Sequence, residues 1–319
     1  MIPPGRVTVI GSGVSGLTSA VALQEAGLDV SIVTREVPPN TTSDRAAAIW
    51  FPYLAYPADR VTRWARHSYE IFAELAETPD SGISMVEMIE LFDEPANDPD
   101  WMGSVIGLRR LAAAELPHGY RDGLVATVPL IETPRYLPFL MRRFAELGGT
   151  ITMIEGGLAD LQDVAAPAGL IINCSGLGAR DLSRDSDVHP IRGQVVRTTN
   201  PGLRRAIADD FGHLSLAYVV PRSDDCILGG TAERDVWELE PDEEVSRDIV
   251  RRCMQLEPGL ERAEILGAAV GLRPGRSEVR LESEMLGDGC KVIHNYGHGG
   301  AGFTLSWGCA AEVVELAKA

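Results

Sequence analysis

The sequence predicts an α/β fold: a parallel sheet with crossover helices, interrupted by an inserted α+β portion rich in antiparallel strands. Three observations predict it. Residues 7–10 are an apolar-rich run, the next six contain three glycines, and residues 17–26 have a helical apolar pattern. A second apolar run at 30–33 follows at the spacing of a βαβ unit. Between these and a closing strand–glycine–helix stretch at 292–316, short apolar runs alternate with turn residues.

The opening stretch is Gly11-Ser12-Gly13-Val14-Ser15-Gly16. Gly11 permits a tight turn out of the strand. Gly13 lets the backbone approach a pyrophosphate, and Gly16 lets the helix pack closely on the strand. The helix that opens at Val14 and Ser15 directs free N–H groups and its positive dipole end at the phosphates. Glu36 lies twenty residues after Gly16, where a carboxylate binds a ribose hydroxyl. Together these predict a Rossmann-like dinucleotide site.

A chain of 319 residues, 45% hydrophobic, can bury a core as one large or two smaller domains. Its formal charge of −17 leaves no basic surface for neutralising a phosphate backbone, so nucleic acid is not an expected partner. No run of eighteen apolar residues suggests a membrane span, and the N-terminus does not read as a secretory signal. The five cysteines are scattered singly, and the six histidines form no spaced cluster with them. No metal site and no disulfide are therefore expected, and a reducing cytoplasm is the expected compartment.

Residues 35–44, beginning Arg35-Glu36 and including Thr42 and Ser43, are polar and hydroxyl-rich. They read either as a phosphate-contacting loop or as a solvated connector. Ala46-Ala47-Ala48-Ile49-Trp50-Phe51-Pro52-Tyr53 turns from small to aromatic, suiting a wall beside a flat ring or plain core packing. The apolar spacing predicts a helix over 61–76, and alternation predicts a strand over 83–92. A helix is predicted over 134–147, with Thr133 as its cap and Pro134 at its first position. Short strands at 151–154 and 170–173 follow, the second running into the glycine turn Ser175-Gly176. That turn is either another approach to cofactor or a simple reversal. Antiparallel strands are predicted around 192–196, 216–221 and 226–230, and a helix over 242–256. Arg273 then follows an apolar strand, reading as an anion partner or as a surface residue.

The closing run is Ile293-His294-Asn295-Tyr296-Gly297-His298-Gly299-Gly300-Ala301-Gly302-Phe303-Thr304, then a helix. A second helix N-terminus of this kind suits negative charge that grows on a reduced flavin ring. This run, with Gly308 and Ala310 after it, resembles the D-amino-acid oxidase family. So do Gly271-Leu272-Arg273-Pro274, Arg192-Gly193-Gln194, Asn173-Cys174-Ser175-Gly176, and Ala46-Ala47 with Trp50. They occur in the family's order across nearly the whole chain.

The resemblance implies non-covalent FAD and oxidation of a D-amino acid by hydride transfer from its Cα to flavin N5. The imino acid hydrolyses to a 2-oxo acid and ammonia, and O₂ returns as hydrogen peroxide. Arg273 corresponds to the carboxylate clamp, Tyr218 to its hydroxyl partner, and Gly300 to the carbonyl that accepts from the amine. Tyr53 and Leu214 fall at the side-chain pocket. The FAD contacts implied are Gly11, Gly13, Val14, Ser15, Gly16, Arg35, Glu36, Thr42, Ser43, Ala47, Trp50 and Leu158, with Ser175, Gly176, Gly299, Gly302, Phe303 and Thr304. The resemblance also implies an FAD-binding domain of residues 1–50, 141–187 and 284–319, with a substrate-binding domain of 51–140 and 188–283.

Leu214 stands where mammalian members carry a second tyrosine, which puts the lid in question. Ala232 and Tyr53 replace the cations of the D-aspartate branch, favouring neutral D-amino acids, while Glu233 and Asp235 keep a basic substrate open. A homodimer is compatible with the sequence. The rivals are a D-aspartate, glycine or sarcosine oxidase, an NAD-dependent dehydrogenase, which would be colourless, and a non-enzymatic dinucleotide-binding regulator, which would make no peroxide.

Overall fold

The computed structural model describes residues 6–52, 54–99, 101, 103, 105–164, 168–287 and 289–319. It opens with strand β1 (Arg6–Ile10), helix α1 (Val14–Glu25) and strand β2 (Val30–Thr34). β1 and β2 pair in parallel, Val7 opposite Val30 and Ile10 opposite Val33. Val7, Val9, Val30 and Ile32 are all fully buried, as a parallel sheet covered on both faces requires.

Helix α2 (Ala58–Ala76) precedes the strands β3 (Ile83–Phe92), β4 (Ile106–Arg110) and β5 (Asp122–Ile131). Helix α3 (Thr133–Glu146), strands β6 (Thr150–Met153) and β7 (Ala168–Asn173), and the one-turn helix α4 (Ala179–Leu182) follow. Strands β8 (His189–Thr198), β9 (Ala206–Asp209), β10 (Ala217–Pro221), β11 (Cys226–Gly229) and β12 (Glu233–Arg234) come next. Helix α5 (Glu243–Leu256), strands β13 (Ile265–Gly275), β14 (Arg280–Met285) and β15 (Lys291–Tyr296), and helix α6 (Gly302–Lys318) complete the chain.

Two sheets result. The first has the order β14-β15-β7-β1-β2-β6, parallel except for the antiparallel β14. The second has nine strands, β12-β8-β11-β10-β9-β3-β5-β4 with β13 also on β8. It is antiparallel apart from the parallel β3–β9 contact. Helix α6 packs on α1 and α2, and α3 packs on α1. A Cβ on Gly308 would fall 2.3 Å from the Trp64 backbone, so the α6–α2 approach needs glycine there.

Most predicted elements lie where expected, and four details differ. Thr133 is the first helical residue of α3; its N-cap is Glu132, which makes no capping bond. The Glu132 carboxylate instead accepts from the Ser223 N–H at 2.9 Å. Arg273 sits inside β13 and does not follow it. Strand β14, beginning at Arg280, pairs within the first sheet, because its whole length runs against β15. Strands β4 and β5 formed in a stretch that read as short apolar runs between turns without individual strand bounds; β5 is buried along most of both faces, so its residues do not alternate. Among the described residues no helix is long and apolar enough to cross a membrane.

Candidate active site

A cavity of about 1190 Å³ runs from the first glycine turn to the second sheet. It exceeds the usual span of small-ligand sites, roughly 300–1,000 Å³. Two helix N-termini open on it. Gly13, Val14 and Ser15 begin α1, and Gly302, Phe303 and Thr304 begin α6. Neither helix has a side-chain cap or an acidic residue in its first turn. Apart from the Val14 N–H, which the Ser43 hydroxyl takes, their first-turn N–H groups are thus available to an anion.

The first turn is built by glycine. Gly11 has φ +99°, and a Cβ there would lie 2.6 Å from the Cys174 carbonyl oxygen. A Cβ on Gly16 would lie 2.0 Å from the Gly11 carbonyl, so this residue sets helix against turn and does not line the cavity. The Ser43 hydroxyl accepts from the Val14 N–H at 3.0 Å, which joins the hydroxyl-rich loop to the helix start. The Ser12 hydroxyl donates to the Glu36 carbonyl, holding Arg35 and Glu36 at the cavity edge.

Thr42, Ala47, Leu158, Ser175, Gly176 and Gly299 also line the cavity, as do Gly300, Tyr218 and Arg273. Thr304 lines it with its hydroxyl engaged: it donates to the Phe51 carbonyl at 3.0 Å and accepts from the Phe51 N–H at 3.1 Å. Besides Gly16, two expected site residues are elsewhere. Trp50 is fully buried in the core, its indole N–H donating to the Ala65 carbonyl at 2.9 Å, and Ile49 and Phe51 reach the cavity instead. Leu214 is buried in the apolar cluster beneath α5, and Leu216 takes the cavity side. The two are separated because Ser215 and Leu216 both have positive φ, which turns the chain over. The Arg252 guanidinium holds this turn, donating to the Leu214 carbonyl at 3.0 Å and to the Gly230 carbonyl at 3.1 Å. Tyr53 lies outside the described residues.

Arg273 and Tyr218 rest on a floor of glycines. Tyr218 on β10 faces Gly229 across the ladder, and a Cβ there would fall 1.8 Å from the phenol Cζ. A Cβ on Gly193 would fall 2.2 Å from Arg273 Nη1. The guanidinium donates through Nη1 to the Thr231 carbonyl at 2.9 Å and lies close enough to the Tyr218 hydroxyl for its charge to act on it. Among the described residues no carboxylate forms an ion pair with it, although Asp210 on the same cavity feels its charge. Burial raises the Tyr218 phenol above its ordinary value, with the Arg273 charge opposing, and the hydroxyl stays a neutral donor. These glycines were visible in the sequence; their partners depend on which strands become neighbours.

The Gly299 N–H donates to the Pro274 carbonyl at 2.9 Å, locking the second glycine loop to the strand that carries Arg273. His298 in that loop is buried and 3.0 Å from Asn295 Oδ1. Burial pushes its imidazole down to about 4, so it is neutral at neutral pH and donates to the amide oxygen. The unfolded value is near 6.5, so the group has no effect on stability above that pH. As pH falls from about 6.5 towards 4 the unfolded chain takes up a proton that the folded one refuses, and about 3 kcal/mol is lost. Urea unfolding at pH 7 and 4.5 should therefore show a smaller acid loss, by about 2–3 kcal/mol, in His298→Asn than in the parent. Equal losses would mean that another group is responsible.

Two helix N-termini, the Glu36 carboxylate and a guanidinium without a carboxylate ion pair among the described residues, all on one cavity, suit a dinucleotide beside a small carboxylate. Comparison with known proteins agrees. Residues 6–316 match the family model described as FAD dependent oxidoreductase, and the chain belongs to that family. It is 48% identical over 315 residues to a D-amino-acid oxidase of Rubrobacter xylanophilus, covering 98% of this chain and 96% of that one. It is 43% identical over 318 residues to a D-amino-acid oxidase of Streptomyces coelicolor, covering 98% and 97%. A human D-aspartate oxidase is 36% identical over 326 residues, covering 98% and 94%. Among solved structures, glycine oxidase from Geobacillus kaustophilus superposes with a TM-score of 0.80 at 18% identity, covering 98% of this chain and 95% of that one. At that identity the match speaks for the fold.

Proposed function

We propose that this protein is a D-amino-acid oxidase: it converts a D-amino acid, O₂ and water into a 2-oxo acid, ammonia and hydrogen peroxide. The observation that carries the reading is the Arg273 guanidinium, without a carboxylate partner, beside the Tyr218 hydroxyl in the cavity that the helix ends share. A planar guanidinium grips a carboxylate through two parallel charge-assisted hydrogen bonds, each contributing roughly 1.5–3 kcal/mol. Tyr218 adds a neutral O–H, and the Gly300 carbonyl accepts from the amine. These three contacts fix the Cα–H direction, and no general base is needed once the amine is neutral.

The turn Gly11–Gly16, Val14 and Ser15 would hold the FAD pyrophosphate, with Glu36 on a ribose. The hydroxyl loop at Thr42 and Ser43, and the turn at Gly302 to Thr304, would hold its ring end. When bound, FAD supplies the two-electron acceptor that takes hydride from the substrate and delivers electrons to O₂. In this reading the first sheet serves as the FAD-binding domain and the second as the substrate-binding domain. Buried cysteines support a reducing cytoplasm as the compartment.

A peroxide assay over matched D- and L-amino acids, on the purified protein, tests this. The expected result is a yellow protein that makes peroxide with D-enantiomers only. A colourless protein, or a yellow one inert to every D-amino acid, would overturn it.

A further inference from the structure

The acids that the sequence offered for a basic substrate are engaged elsewhere. Glu233 accepts from Arg192 Nη1 at 2.6 Å, and Asp235 pairs with Arg234 at the surface. Neither lines the cavity. A different carboxylate does: Asp210, the residue just past the end of β9.

Its placement follows from the register. Ala208 on β9 pairs with Tyr218 on β10 and with Glu90 on β3. Side chains two apart share a face. Asp209 therefore points to the other side, where it accepts from the Tyr120 hydroxyl at 2.7 Å and from the Leu214 N–H at 3.0 Å. Asp210 returns to the face of Ala208 and Tyr218. Two strand residues advance roughly 7 Å, about the reach of a four-methylene chain. The cavity wall on this side is apolar: Met88, Ala206, Ala208, Leu216 and Val220.

Among the described residues nothing hydrogen-bonds the Asp210 carboxylate. Its main chain N–H donates to Glu90 Oε1 at 3.2 Å. Glu90 lies behind it, 3% exposed, and its Oε2 has no partner. Burial, then the Asp209 charge, pushes Asp210 up to about 6, while Arg273 opposes. Asp210 is still ionised in mildly alkaline buffer. Burial, with Asp210 adding to it, raises Glu90 well above the usual carboxylate range. An anion without a hydrogen-bond donor on the wall of a cavity, backed by a buried carboxyl with one unpartnered oxygen, leaves a need for a cationic donor that no described residue meets through a hydrogen bond or ion pair.

We infer that Asp210 is a specificity-determining residue that receives a cationic side-chain end, so that the substrates include D-amino acids with a terminal ammonium or guanidinium. This rests on the D-amino-acid reading and widens the neutral class expected from sequence. The α-carboxylate sits at Arg273, the methylene stem lies along the apolar wall, and the distal cation meets Asp210. The same carboxylate repels an acidic side chain.

The test uses the FAD-bound enzyme at pH 8. The kcat/KM ratio for D-lysine over D-norleucine, which match in stem length, should fall at least tenfold in Asp210→Asn. Calorimetric titration with 6-aminohexanoate and hexanoate, which have no α-amine to oxidise, gives a readout free of turnover. The wild type should bind the ammonium-bearing acid at least tenfold tighter, and Asp210→Asn should bind the two within about twofold. Equal binding of the two by the wild type overturns the inference, whether or not the variant folds. So does a preference, in binding or in turnover, that survives in the variant. Failure of D-norleucine and every other D-amino acid to yield peroxide would instead bring down the underlying reading.

Discussion

Arg273→Ala should lower kcat/KM for every D-amino acid by two to three orders of magnitude or more, ~3–5 kcal/mol of transition-state binding. No described carboxylate forms an ion pair with the guanidinium, which is placed by the Thr231 carbonyl and lies beside the Tyr218 hydroxyl. Its removal leaves the substrate carboxylate desolvated with one neutral donor. Orientation of the Cα–H is lost together with affinity, so kcat should fall as well as KM rise. Rapid-mixing measurement of flavin reduction under anaerobic conditions separates the two. Gly193→Ala gives a second route to the same loss, since its methyl would collide with Arg273 Nη1 at 2.2 Å without removing any charge. Wild-type reduction rates in Arg273→Ala would refute the clamp.

Gly11→Ala should abolish FAD retention and destabilise the fold. Two costs coincide. The backbone is at φ +99°, a conformation costing a side chain about 1–3 kcal/mol. The new methyl would lie 2.6 Å from the Cys174 carbonyl oxygen, and relieving such overpacking costs typically ~1–3 kcal/mol more. The relief moves the turn that holds Gly13 and the start of α1 at the cavity. Purified protein should lack flavin absorbance and melt about 5–15 °C lower, at roughly 2–4 °C per kcal/mol for a chain of this size. Gly27→Ala is the control: φ is +89°, but nothing lies within 4 Å of the added atom, so strain alone is introduced and flavin should be kept. Normal flavin content in Gly11→Ala would remove the turn from the binding site.

Legibility from sequence tracked how local each signal was. The opening and closing strand–glycine–helix stretches were readable because a tight turn, a close packing and a helix start each impose residue types within a few positions. The helix α2 was readable from its apolar spacing, and β3 from its alternation. Strand β5 was not, because burial on both faces erases the alternation that identifies a strand. Trp50 and Leu214 show the same limit at the site. Each stands in a stretch that reaches the cavity, but neighbours one or two residues away, Phe51 and Leu216, are the ones facing it. A one-residue change of facing is invisible without the partner strand.

The glycine motifs thus sufficed for a dinucleotide site with two helix ends, and resemblance to a family for FAD and for Arg273 as the candidate carboxylate clamp. Only the folded sheets decided what surrounds that arginine: the glycine floor under it and under Tyr218, the turn stapled by Arg252, and Asp210 on the wall. Those relations join residues far apart in the chain, such as Gly193 with Arg273 and Glu90 with Asp210. They are consequences of strand order and register, which long-range pairing sets and local residue preferences do not encode.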